Sequence, residues 1–494
     1  VFSGYWESYG SSFITFGLSF VVYILVFDHM KRRKRWKNYP PGPVSFPFVG
    51  NLLQVNFQCP RLALTEKFGK IFSLQVGWKN LVVLNGFEAV KAALIQRSED
   101  FADRPSFSLF DHMGIMMARY GHGWKELRKF ALSTLRNFGL GKKSLDQSIT
   151  EEAGCLCSAF SSKDGHPFNP RFLINSAVGN VMCSITFGNR FEYNNEKFQR
   201  MLQLIEEAFN IGAGILSQIL DLMPWLLYIP GPHHNIFQPY IDTFDILREI
   251  VKKHKETRDP GFTRDFIDAF LEEIEKVGGD RHGSFTFNED NLIFTVFDLF
   301  GAATETTTVT LCWALLYMLR YPDVQRRVHE EIDKVIGRDR SPKIEDQVNL
   351  PYTNAAIYET QRYCDVVFAG VPRMTYRDTQ VQDFFIPKGT TVIAVLSSVL
   401  KDETVWEKPH EFYPEHFLDA AGQFVKREAF LPFSAGRRIC LGEQLARKEL
   451  FLFFTTLLQH FTFHIPEDHP RPQEDGHYVL IHSPDSYELC AIPR

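Results

Sequence analysis

One ten-residue stretch constrains this chain more than any other: Phe433-Ser434-Ala435-Gly436-Arg437-Arg438-Ile439-Cys440-Leu441-Gly442. The spacing F-x-x-G-x-R-x-C-x-G fixes five of ten positions. Its glycines let backbone approach a flat ligand closely, and Arg438 can reach an anion. A helical pattern begins straight after Gly442. A cysteine so placed has the setting for a thiolate ligand to haem iron, where the sulfur pushes electron density onto the metal and favours O–O cleavage. The fold must leave room for such a group beside Cys440.

The chain has 494 residues, a length that usually suggests two or three domains. No composition shift or long linker follows residue 43, so residues 44–494 read as one large unit. The 46 phenylalanines suit an apolar cavity or ordinary core packing equally. A net charge of −5 argues against nucleic acid as a partner. The eight cysteines are scattered without a disulfide-framework spacing, which fits a reducing compartment.

Ser11 to Phe27 carries no charge and is dominated by Phe, Val, Ile and Leu; Asp28 closes it. Seventeen residues is the short limit for a spanning helix, which needs about 17–25. Lys31-Arg32-Arg33-Lys34-Arg35 and Lys37 follow, which places the body on the cytoplasmic side. A cleaved signal would have its basic residues first and a small-residue cleavage site after. The expected layout is therefore an uncleaved transmembrane signal-anchor over 1–28, a basic and proline-rich linker over 29–43, and a catalytic body over 44–494. Pro40-Pro41-Gly42-Pro43 makes the linker a stiff elbow.

Within the body, Ile71–Val76 and Leu81–Leu84 read as a hairpin around Gly77-Trp78-Lys79-Asn80. Most of the remainder has helical period. The clearest helix runs from Glu289 to about Arg320, capped by Asn288 and ended by Tyr321-Pro322. Others cover Val324–Val335, Asn354–Arg362 and the stretch from Cys440 toward Leu458, with strands around Pro387-Lys388-Gly389. The expected class is mainly α with a smaller β portion.

Three further constellations carry chemistry. Ala302-Ala303-Thr304-Glu305-Thr306-Thr307-Thr308 is a polar run inside the long apolar helix. A threonine there bonds the carbonyl one turn back and bends the helix, or is simply satisfied. Beside a haem, Thr306 and Glu305 would deliver protons. Glu359 and Arg362 form an i, i+3 pair in an apolar setting, with the Phe412–Phe417 segment as a source of further hydrogen bonds. Trp124 and Arg128 sit one turn apart, and Arg104, Arg373 and Arg438 are further forks suited to haem propionates. Neither G-x-G-x-x-G nor a P-loop pattern occurs, so electrons must come from another protein.

Taken together, the Cys440 loop, the Glu359–Arg362 pair, the Ala302–Thr307 run and Trp124–Arg128 resemble the cytochrome P-450 superfamily along essentially the whole chain. The anchor and elbow look like its microsomal class. Tyr39–Pro43, Ser133–Ser144, Leu396–Pro409 and Ser486–Arg494 are similar to vertebrate family 2, subfamily D. The resemblance implies the cytochrome P-450 fold and haem b on the Cys440 thiolate. Phe433, Gly436 and Gly442 frame that cysteine, and dioxygen is activated near Thr306. It also implies electrons from NADPH through a flavoprotein reductase, sometimes cytochrome b5, and a place in the endoplasmic reticulum membrane. The implied reaction inserts one oxygen atom into lipophilic substrates: xenobiotics, steroids, fatty acids or amines. A cationic face of Lys125, Arg128, Lys129, Arg437 and Lys448 would dock the acidic partner.

Departures from the pattern matter. Ala302-Ala303 stands where Ala-Gly or Gly-Gly is usual, and His416 where many members have Arg. Asp298 matches an acid that attracts basic amines in subfamily D, but Gly212, Met116 and Leu480 replace a second acid and two aromatics. Asp298 is either a substrate group or a holder of backbone. The rival functions are a haem-thiolate isomerase or dehydratase of the same fold and a non-catalytic haem sensor.

Overall fold

The computed structural model describes residues 16–17, 19–27, 37–46, 49–51, 54, 62–77, 79–106, 113–138, 143–259, 261–278 and 286–494. Its larger helices are α1 (His122–Phe138), α2 (Lys143–Ser161), α3 (Arg171–Thr186), α4 (Glu196–Ala213), α5 (Gln238–Thr257), α6 (Phe266–Gly278), α7 (Glu289–Arg320), α8 (Pro322–Val335), α9 (Pro351–Cys364) and α10 (Glu443–His460). The mainly α architecture with a smaller β part agrees with the sequence expectation.

α7 begins where Asn288 leaves extended backbone and its side chain accepts from Asn291 N at 2.8 Å. Glu289 and Asp290 complement the positive end of the helix. It stops at Tyr321 because Pro322 opens α8 as that helix's first residue. Side chains are buried along much of its length, from Leu292 to Leu319, and it packs on α3, α9 and α10. Fully burying a Leu, Val or Phe stabilises by about 1.5–3 kcal/mol. That outweighs the helix-propensity cost of its Thr and Val residues, at most about 0.7 kcal/mol each. Among the described residues α7 is the one helix long and apolar enough to cross a membrane, and it is a core helix.

The main sheet runs in the order Ile71–Val76, Lys79–Leu84, Thr391–Ala394, Arg373–Met374. The second and third strands are parallel, with Leu81 opposite Thr391; the other pairs are antiparallel. The first hairpin is tighter than expected. Lys79 and Asn80 pair with Val76 and Gln75, because polar side chains at an exposed strand end cost nothing to pair. A small hairpin of His477–Tyr478 and His482–Ser483 lies near the end of the chain. The basic cluster at 31–35 falls outside the described residues.

Candidate functional site

Cys440 is held by the turn that precedes it and the helix that follows. Its amide donates to Phe433 O at 3.0 Å. Ser434 and Gly436 both adopt left-handed backbone, at φ 60° and 76°. At Gly436 a side chain is excluded twice over, since a Cβ would lie 1.9 Å from Leu94 O. Gly442 then opens α10, and the amides of Gly442 and Glu443 donate to the sulfur. Burial pushes the thiol up, aided by the Glu443 charge, while these two amides and the Arg128 charge pull it toward thiolate; the net direction is upward. The side chain is nevertheless exposed, so the sulfur is open to a ligand from outside the chain.

Facing this loop is a cluster of arginines. Arg104, Arg373 and Arg438 are buried, Arg128 partly so. Burial and mutual repulsion bring Arg104 down to about 10, Arg373 to about 9 and Arg438 to about 8. Arg438 donates to the carbonyls of Ala102, Ile115 and Ala118 at 2.7, 3.1 and 2.6 Å and stacks on Trp124 at 4.0 Å. The Trp124 indole N–H donates to Ile115 O, and Arg128 to Ile439 O at 2.6 Å. Arg104 bonds the carbonyls of Met116, Val371 and Pro372. Arg373 reaches Ser434 and Ala435 with one nitrogen, but its other terminal nitrogen is buried without a partner. A buried cation cluster with an orphaned guanidinium nitrogen calls for carboxylates from outside the chain. The residues present therefore fit a haem, with Cys440 for its iron and the arginines for its propionates.

The polar run of α7 does not break the helix. Thr304, Thr306 and Thr310 donate to the carbonyls of Phe300, Ala302 and Thr306 at 2.7–2.8 Å, each one turn back. Glu305 and Thr306 line a cavity of about 270 Å³ together with Gly301, Phe209, Leu480 and Tyr487. Glu305 is not alone there: it pairs with Arg171 at 2.5 Å. Burial raises its carboxyl above the ordinary carboxylate range, Arg171 lowers it and Glu206 raises it.

Asp298 faces backbone. Its Oδ2 accepts from Ile115 N at 2.7 Å and Met116 N at 2.9 Å. Of the two roles left open for it, holding backbone is the one the geometry carries. Leu480 reaches the cavity beside Thr306, whereas Met116 is bound through its main chain.

Glu359 and Arg362 are fully buried and fully satisfied. Arg362 spends its donors on both Glu359 oxygens and on the carbonyls of Leu400, Pro409 and Glu411, all within 2.9 Å. Tyr413 N also donates to Glu359. His416 Nε2 accepts from Lys408 N at 3.1 Å, so its proton sits on Nδ1, which donates to Glu359 at 3.2 Å. A neutral imidazole thus completes the network without an arginine's charge.

Arg171, Glu206 and the buried Glu449 escaped sequence reasoning. Glu449 stands in an apolar stretch of α10, faces Thr307 at 3.5 Å and is pushed up to about 8 by burial. An acid interrupting the run before Leu450-Phe451-Leu452-Phe453 was the available signal. Arg171 and Glu206 carry no local signal at all.

A family profile, Cytochrome P450, matches residues 40–491. The chain is 52% identical over 485 residues to cytochrome P450 2D15 of Canis lupus familiaris, covering 96% of this chain and 97% of that one. It is 51% identical over 485 residues to cytochrome P450 2D6 of Homo sapiens, with the same coverage. It is also 51% identical over 489 residues to vitamin D(3) 25-hydroxylase of Sus scrofa, covering 97% of each. With a cysteine loop and a buried arginine cluster that fit a haem, the chain belongs to the cytochrome P450 family, the haem-thiolate monooxygenases that take electrons from a redox partner and oxidise small molecules.

Proposed function

We propose that this chain is a membrane-anchored enzyme of the endoplasmic reticulum whose substrates are lipophilic molecules, neutral as well as basic. The observation that carries the substrate reading is the commitment of Asp298 to the amides of Ile115 and Met116. Two backbone bonds fix Oδ2 against the chain and leave only Oδ1 to meet an ammonium group, and Gly212 supplies no second acid to share that task. The anchor reading is supported by residues 16–17 and 19–27, which are helical and expose Phe16, Phe20, Val22, Tyr23 and Phe27. Such a surface suits lipid better than water. Lys31–Arg35 beyond it would keep the body cytosolic.

A haem held by Cys440 would supply the dioxygen chemistry. The residues around it have separable tasks. Arg104, Arg128, Arg373 and Arg438 would hold propionates, and Trp124 packs beneath Arg438 as an aromatic floor. The Thr306 hydroxyl donates to Ala302 O, so its lone pairs face the cavity as acceptors; to donate there, it must release that carbonyl. Glu305, raised by burial, would hold the proton that passes on. Leu480 and Phe209 give the substrate apolar walls.

Electrons would arrive from the flavoprotein reductase, and sometimes from cytochrome b5, at the face carrying Lys125, Lys129 and Arg437, all exposed. Lys448 and Arg128 contribute less to it. Lys448 is tied to Asp146 at 2.5 Å and Arg128 turns inward.

The test is reductase-supported turnover of a panel of matched neutral and cationic lipophiles. Comparable kcat/KM across the two classes supports the reading, and strict preference for amines overturns it. A chain that consumes no NADPH with any member would be an isomerase or a sensor instead.

A further inference from the structure

Glu305 shares its cation. One terminal nitrogen of Arg171 donates to Glu305 Oε1 at 2.5 Å and to Glu206 Oε1 at 3.0 Å. The two acids belong to α7 and α4, and the arginine is the first residue of α3. Its amide is held by Asn169 Oδ1 at 2.9 Å, and Asn169 in turn donates to Ser486, so the guanidinium stands on a fixed base. α4 itself seats on α7 around Gly301, where Phe209 also stacks on Phe297 at 6.1 Å. Gly301 has no side chain there, and a Cβ would meet Phe209 Cε2 at 2.3 Å. Glu206 lies three residues before Phe209 and Glu305 four after Gly301. The charge contact and the seating contact therefore occupy the same faces of the same two helices.

We infer that Arg171 and Glu206 act as a positioning pair that couples the seating of α4 on α7 to the readiness of Glu305 to give up its proton. The inference rests on reading Glu305 as a proton carrier. With α4 seated, one guanidinium is divided between two acids, and the second acid disfavours ionisation of the first. With α4 lifted, Glu206 leaves and Arg171 serves Glu305 alone. The O–H bond of Glu305 then breaks more readily; the proton leaves into the cavity and the carboxylate stays beside Arg171. Other charges facing the cavity are spent on one another: His477 pairs with Asp485 at 3.2 Å. Cys312, on the same helix, is pushed up to about 12 by burial and stays neutral. Burial raises Glu305, Arg171 lowers it and Glu206 raises it, in keeping with this arrangement.

The experiment uses the full-length, haem-loaded enzyme. An infrared difference between wild type and Glu305→Gln isolates one carboxyl band, whose protonation is followed across pH. Its midpoint should fall in Glu206→Gln, rise in Arg171→Gln, and return toward wild type in Arg171→Lys. The product-to-peroxide ratio of each variant should shift along pH in the same sense. If the band titrates in place in all three variants, the coupling is wrong while the role of Glu305 stands. If Glu305→Gln removes no titrating band, or leaves the product-to-peroxide ratio at its wild-type value at every pH, the role of Glu305 fails and the coupling with it. A drop in thermal midpoint without band movement would mark the pair as structural only and also overturns the inference.

Discussion

Asp298 accepts two amides on one oxygen, yet burial still pushes its carboxyl up to about 6. The folded protein thus holds this proton more tightly than the unfolded chain does. Its contribution to stability is full below the unfolded value near 4 and is lost as pH rises through about 6. The loss amounts to roughly 3 kcal/mol at most. Asparagine keeps an oxygen for both amides and cannot ionise. Thermal midpoints of Asp298→Asn should accordingly show a shallower decline between pH 4 and 6 than wild type; parallel curves would mean the carboxyl is not buried. Cys440→Ser is the complementary test at the cysteine loop. Without a thiolate, the red-shifted Soret band of the ferrous carbon monoxide complex should vanish while circular dichroism keeps its helical signal. At this scale the sequence was most legible where a motif names its own partners. The Cys440 loop, the Glu359–Arg362 pair and the arginines were all visible, and the donors of Gly442 and Glu443 follow from a helix starting there. The bond between Arg171 and Glu305 was not, because the two residues lie 134 apart and Arg171, unlike Glu305, sits in no pattern.

Elements were readable in proportion to how sharply their ends are chemically marked. α7 could be bounded to the residue because Asn288 caps it and Pro322 ends it. α9 was expected from Asn354 but begins at Pro351, since a proline in the first turn lacks only an amide that the helix leaves unpaired. The helices from α1 to α6 were visible only as helical period, and their pairing is set by packing rather than by anything local. Gly301 illustrates the point: within α7 it looks like a weak helix residue, but it is the seat of α4. Gly301→Val would drive two methyls toward the Phe209 ring. The ring can turn aside, so the cost should stay within the 1–3 kcal/mol typical of overpacking. A lower thermal midpoint and weaker binding of cavity-filling substrates in spectral titrations are expected. Unchanged binding would show that α4 and α7 do not meet at this residue in solution.

The molecule as a whole is acidic, at −5, so a cationic docking face must be local rather than a consequence of net charge. Lys125 and Lys129 are exposed on α1, the helix that also carries Trp124 and Arg128 toward the cysteine loop. Electron delivery and haem attachment would therefore share one helix, one face turned out and the other in. Attraction between such a face and an acidic partner acts mainly on encounter and is screened beyond about 10 Å at 0.1 M salt. Reversing both lysines to Glu should slow reductase-supported turnover on the order of ten-fold at low salt, as steering effects of this kind allow. The deficit should narrow as salt rises, because screening weakens repulsion in the variant and attraction in the wild type alike. Turnover driven by added peroxide needs no partner and should be unaffected. Lys125 also lies over the Tyr120 ring at 4.8 Å, so part of any loss could arise from local unpacking. Lys125→Gln with Lys129→Gln separates the two causes: a docking role predicts an intermediate, salt-sensitive defect, whereas unpacking predicts one that salt leaves alone and that appears with peroxide too. Equal loss in both assays would exclude this face as the docking site.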